Sequence, residues 1–160
     1  MKTWSQDELD ELIACPKRTI EPPKRSMRTE MGSHRNEAIL ESEDGRHRFR
    51  VFIRQSADFA ENFSIGLEYQ PREDSGAIIL LRCNGPHGPH KLWPHHAQYH
   101  VHKAKAENLL EGARAEAFAE VTPAYASFEE ALRYFGEICH IADWSLHYPS
   151  LQQMLFKNMP

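Results

Sequence analysis

Residues 44–54 read Asp-Gly-Arg-His-Arg-Phe-Arg-Val-Phe-Ile-Arg. The Asp44-Gly45 step is a strong hairpin signal, because aspartate and glycine tolerate the positive φ angles of a tight turn. Beyond it, His47, Phe49, Val51 and Ile53 fall on one side of an extended chain, and Arg48, Arg50, Phe52 and Arg54 on the other. Successive side chains of a strand point to opposite faces, so 46–54 predicts a half-buried strand with one apolar and one basic face.

The same reading extends in both directions. Residues 38–42 predict the first strand of the hairpin, and 62–70 repeats the alternation through Phe63, Ile65, Leu67 and Tyr69. After a polar loop at 71–76, residues 77–83 are nearly all apolar, which predicts a central strand covered on both sides. Residues 99–103 alternate once more. At the N-terminal end, Ser5 and Glu8 form a capping box for a helix over 4–15, which Pro16 ends. Toward the C-terminus, helices are predicted at 106–111, stopped by Gly112, at 127–140, opened by Ser127, and at 151–156. The expected fold class is therefore α+β: an about five-stranded antiparallel β-meander with helices packed on one face. One domain spans 1–160, with a basic, proline-containing N-terminal arm at 16–36, where Pro22-Pro23 excludes helix.

Composition narrows the class further. The 160 residues are 41% hydrophobic with net charge −4, ordinary values that argue for a packed core rather than disorder. No run approaches the roughly 20 apolar residues of a membrane span, and the opening residues turn acidic at once, so no leader is expected. Cys15, Cys83 and Cys139 are scattered, without a CxxC pair, which predicts reduced thiols and a cytoplasmic setting. Charge is unevenly divided: residues 17–54 hold ten Lys/Arg against six Asp/Glu, and 105–143 hold three against eight. A basic surface of this kind suits an anionic partner such as nucleic acid. Arg48, Arg50 and Arg54 on the strand, with Lys17, Arg18, Lys24, Arg25 and Arg28 on the arm, are its candidates.

Histidine is the compositional outlier. Six of the ten lie between residues 87 and 102, namely His87, His90, His95, His96, His100 and His102, where an even spread would place one. His100 and His102, two apart on a strand, project to the same side. Arg82 ends the preceding apolar strand. Paired imidazoles titrate near neutrality and can act as general base and general acid, while a guanidinium stabilises charge growing on phosphate. The candidate catalytic set is thus His87, His95, His96, His100, His102 and Arg82, acting on RNA without a cofactor. The same imidazoles support a second reading, a divalent metal such as zinc held by His87, His100 and His102 in a metal-dependent hydrolase or metal-binding protein. A third reading is a non-enzymatic binding or regulatory module whose histidine loop is a contact surface.

Arg82-Cys83-Asn84-Gly85-Pro86-His87, followed by Pro94-His95-His96 and His100-Val101-His102, resembles the signature of the TumE-like toxins of bacterial toxin–antitoxin pairs and of related small bacterial proteins. The resemblance spans about residues 37–141 and is specific over 80–103. It differs in the composition of residues 90–93 and in a longer gap from His96 to His100. It implies a toxin-like protein with a cognate antitoxin as partner.

Overall fold

The computed structural model describes residues 2–73, 76–88 and 94–148, with the backbone alone for Pro94 and His95. His90 and the expected helix at 151–156 lie outside the described residues. The fold is α+β, and the described residues form eight strands and four short α-helices. They run in the order α1 (Gln6–Ala14), β1 (Lys17–Glu21), β2 (Arg28–Glu30), β3 (Ser33–Ser42), β4 (Arg48–Ser56), β5 (Phe63–Gln70) and β6 (Ile78–Asn84). After a 3-10 turn at Pro94–Ala97 come β7 (His100–Lys103), α2 (Ala106–Leu110), β8 (Ala119–Val121), α3 (Phe128–Ile138) and α4 (Trp144–His147). Among the described residues no helix is long and apolar enough to cross a membrane.

The sheet order is β1-β3-β4-β5-β6-β7-β8, with β2 also on β3, and every pairing is antiparallel. The five strands expected from alternation are β3 to β7, in meander order. The sheet is larger than that expectation by β1, β2 and β8. The stretch expected as an arm supplies two of these: β1 pairs with residues 39–42 of β3, and β2 with residues 33–35. Pro22-Pro23 sits in the connection between them, where the missing N–H groups cost no ladder bond.

Helices α1 and α3 pack on one face of the sheet, against β5 and β6. Leu9, Leu12 and Ile13 of α1 and Ala131, Leu132 and Phe135 of α3 meet Phe49, Val51, Phe63, Ile65 and Leu67, all buried. Each such side chain contributes roughly 1.5–3 kcal/mol by leaving water. The Ser5 capping box forms as expected, with Glu8 N–H donating to Ser5 Oγ (3.1 Å) and Ser5 N–H to Glu8 Oε2 (2.8 Å).

Two details depart from the sequence reading. The apolar run in β6 reflects a change of phase rather than cover on both sides. Ile78 pairs with Tyr69, and Leu81 and Cys83 pair with Leu67 and Ile65, with a register shift that leaves Leu80 as the extra residue. Directly opposed residues share a face, so Ile78, Leu81 and Cys83 all reach the core, which a regular two-residue period forbids. Lys17, expected on an exposed arm, is fully buried. Its ammonium donates to the carbonyls of Ile13 (2.6 Å), Cys15 (2.8 Å) and Cys139 (2.9 Å), closing the C-terminal ends of α1 and α3 together.

Candidate functional site

The face of the sheet away from α1 and α3 is polar, and its register assembles the site. Two cross-strand rows run over it. One passes Phe52, Gly66, Arg82, His102 and Ala119; the other Arg54, Ser64, Asn84, His100 and Val121. The expected same-side placement of His100 and His102 is present, with ring centroids 5.2 Å apart. Tyr99 and Val101 turn the other way and pack against the core.

Both imidazoles are held in one tautomer. His100 Nδ1 lies 2.7 Å from the Gln98 carbonyl and His102 Nδ1 2.9 Å from the Glu116 carbonyl. A carbonyl only accepts, so each Nδ1 carries a proton and Nε2 is the basic nitrogen of the neutral ring. A polar chain extends behind His100. Ser64 donates its hydroxyl to Asn84 Oδ1 (2.7 Å), which turns the Asn84 amide nitrogen toward His100 Nε2 at 3.5 Å. The Tyr125 hydroxyl, buried, lies within reach of the Asn84 carbonyl (3.0 Å) and the His100 carbonyl (2.8 Å). It pins β6 to β7 where the histidine loop leaves the sheet.

A cavity of about 300 Å³ opens above this pair, lined by Arg82, His87, His96, His102, Arg114 and Glu116 among others. His100 is fully buried beneath it, whereas His87 is exposed and His96 half-buried. The His87 and His96 rings lie 4.2 Å apart by centroid, and His87 is 5.2 Å from His100. A backbone bond from His87 N–H to the His96 carbonyl (2.8 Å) holds the two ends of the loop together. The site therefore gathers His87, His96, His100, His102 and Arg82, while the His95 side chain lies outside the described residues. Larger cavities exist beside Trp144 (about 590 Å³) and between α1 and β7 (about 730 Å³), but each is lined by a single histidine, His140.

Arg82 enters from β6. Its Nη2 stands 3.8 Å from Glu116 Oε1, and its buried Nε has no hydrogen-bond partner among the described residues. Burial pushes this guanidinium below its ordinary pKa, against the pull of Glu116. Arg114 grips the same carboxylate oxygen through Nε (3.1 Å) and Nη2 (2.5 Å). Glu116 thus touches Arg82 with its side chain and His102 with its backbone. Neither Glu116 nor Arg114 was legible from spacing, because they follow Arg82 by more than thirty residues in a segment that reads only as acidic and helical. Cys83, next to Arg82 in sequence, faces the core, away from the histidines, and burial holds its thiol well above the usual range.

The expected nucleic-acid contacts divide. Arg48 and Arg50 carry carboxylate partners, Glu21 at 3.8 Å for the first and Glu37 (3.1 Å) and Glu68 (3.2 Å) for the second. Arg54 has no carboxylate partner among the described residues and bonds Asn62 Oδ1 at 3.3 Å. All three lie on the face that carries the histidines. Lys24, Arg25 and Arg28 are exposed, the first two in the connection after β1 and Arg28 on edge strand β2, paired with Glu30 at 3.1 Å. Arg18 is paired with Glu41, and Lys17 is corrected to a structural cation, since all three of its donors are used inside the fold. Among the described residues no group of three or more His, Cys, Asp or Glu is disposed to hold a metal ion. Comparison with family models, with characterised proteins and with solved structures returns no match.

Proposed function

We propose that the protein is a toxin-like ribonuclease that cleaves RNA by histidine general acid–base chemistry on the open face of its sheet, with Arg82 as phosphate clamp. The observation that carries this reading is the fixed tautomer of His102: its Nδ1–H is tied to a backbone carbonyl, its ring borders the cavity, and Arg82 sits directly opposite it across the strand pair. One imidazole takes the proton of a ribose 2′-hydroxyl as that oxygen bonds to phosphorus. The bond to the 5′-oxygen breaks, and a second, protonated imidazole gives that oxygen its proton, leaving a 2′,3′-cyclic phosphate. His102 supplies one role and the His87–His96 pair the other, with His100 beneath them as a positioning residue. Arg82, on the wall of the cavity, stabilises the charge that grows on phosphate. The resemblance to TumE-like toxins supports the toxin-like part of this reading rather than the reaction, and adds a cognate antitoxin as its protein partner in the cytoplasm.

A second reading has its own support. A ring held through Nδ1–H to a carbonyl is also how metal-bound imidazoles are oriented. It would employ His87, His100 and His102 on zinc or another divalent ion. The test is cleavage of a mixed-sequence RNA with and without EDTA, together with elemental analysis of the purified protein. Activity that survives EDTA, with a bell-shaped pH profile and cyclic-phosphate ends, supports the metal-free mechanism. Activity lost on chelation and restored by zinc or manganese transfers the assignment to the metal reading. No cleavage under either condition leaves the non-enzymatic binding module.

A further inference from the structure

We propose that Arg35 and Arg54 form a second phosphate subsite for single-stranded nucleic acid, with Phe52 as the surface that receives the adjoining base. The inference rests on the nucleic-acid reading above and extends it to a region without histidines.

Arg35 and Arg54 are directly opposed across β3 and β4. Like charges in that position repel at close range, and natural sheets place opposite charges there instead. Neither guanidinium has a carboxylate partner among the described residues, although Arg48 and Arg50 on the same face both do. Arg54 is half-buried, and burial together with Arg35 pushes it below its ordinary pKa. An anion between the two would remove the repulsion and replace the water that burial has stripped away.

The surroundings are shaped for such a ligand. Between β1 and β2, residues 36–38 of β3 have no strand partner on that side among the described residues, and a cavity of about 290 Å³ opens there. Its lining includes Lys24, Arg28, Arg35, Phe52 and Arg54. Asn36 holds the wall in place by accepting from Lys24 N–H (3.1 Å) and donating to the Lys24 carbonyl (2.9 Å). Phe52 is a half-buried aromatic flanked on its own strand by Arg50 and Arg54 on the same face. The tip of its ring fills the space over Gly66, where a Cβ would lie 2.0 Å from Phe52 Cζ, and the Arg50 guanidinium stands 5.4 Å from its centroid. Aromatic rings flanked by arginines are the usual platform for unpaired bases. Arg54 shares a cross-strand row with His100 three strands away, about 14 Å at roughly 4.8 Å per strand. That is too far for one nucleotide and within reach of a short single strand crossing the open face.

The experiment uses the full chain and a fluorescein-labelled single-stranded DNA on the order of 10 nucleotides long. DNA lacks the 2′-hydroxyl, so binding is read without cleavage. Arg35→Gln and Arg54→Gln are expected to weaken binding about tenfold each and to reduce the log–log salt slope by about 0.7. Phe52→Leu should weaken binding with an unchanged slope, because stacking releases no counterions. Arg133→Gln, on α3 behind the sheet, serves as a control and should bind as wild type. The arginine variants should melt no lower than wild type, since each relieves a repulsion. Wild-type affinity and slope in both arginine variants overturn this subsite and leave the catalytic reading intact. No binding by the wild-type protein also overturns the subsite, while RNA cleavage by the same preparation decides the catalytic reading.

Discussion

Two cations withdrawn from water, Lys17 and Arg82, make opposite use of their donors. Lys17 is wholly enclosed, and its three N–H donors meet three carbonyls at 2.6 to 2.9 Å. Among the described residues, Arg82 has a single carboxylate at 3.8 Å and a buried Nε without a partner. Burial pushes both below their ordinary pKa. The first cation completes the architecture, because nothing is left for a ligand to bind. The second is costly to keep buried, and a cost that the fold does not recover points to chemistry performed on something else.

The largest expected effect on this contrast is functional. His102→Ala, which removes the imidazole opposite Arg82, should lower RNA cleavage by about 10²- to 10⁴-fold while leaving far-UV circular dichroism unchanged. Next in size is Lys17→Met, which strands three carbonyls at the ends of α1 and α3. At about 1 kcal/mol or more for each, it should cost roughly 3 kcal/mol and lower the melting temperature by about 6–12 °C. The matching change, Arg82→Met, should leave the melting temperature unchanged or raise it while abolishing turnover. Equal destabilisation by the two would erase the distinction between them. Arg82→Lys comes third, with turnover down about 10- to 100-fold, since a point charge cannot reproduce the guanidinium fork. The smallest effect concerns the thiols. Burial pushes Cys139 up to about 12 and Cys83 well above its usual value, and raises Cys15 as well. At pH 8 an aromatic disulfide reagent should therefore react first with Cys15, which is half-buried where the other two are enclosed. In the Lys17→Met protein Cys139 should become reactive before Cys83, and simultaneous exposure would show that Lys17 secures more than the helix ends.

The expectations from sequence succeeded where the signal is local. Alternation in 46–54 and 62–70 placed β4 and β5 with their correct faces, and the two-residue spacing of His100 and His102 put both rings together. They fell short where the decisive partner is distant. β1, β2 and β8 are edge strands of three to five residues, too short to show a period, and their pairing is set by β3 and β7. Lys17 reads as one more basic residue beside Pro16 until α3 brings the Cys139 carbonyl to it. Glu116 is the same case at the site: its carboxylate meets Arg82 and its carbonyl meets His102 only after β8 has folded back onto β7. The apolar run of β6 misled in an instructive way, since a shift of phase and cover on both sides produce the same string of residues.

That extra residue in β6 acts on the strand as a frameshift acts on a message. Upstream of Leu80, the residue that faces the helices is Ile78; downstream, the frame has moved by one, so Leu81 and Cys83 face the helices and Arg82 and Asn84 are delivered to the open side. Removing Leu80 would restore the regular frame and leave every side chain's identity intact. It would nonetheless turn either Arg82 and Asn84 into the core or Ile78 out of it. The site thus depends on an insertion that contributes no atom to it, and a one-residue deletion here should be worse tolerated than many substitutions nearer the histidines.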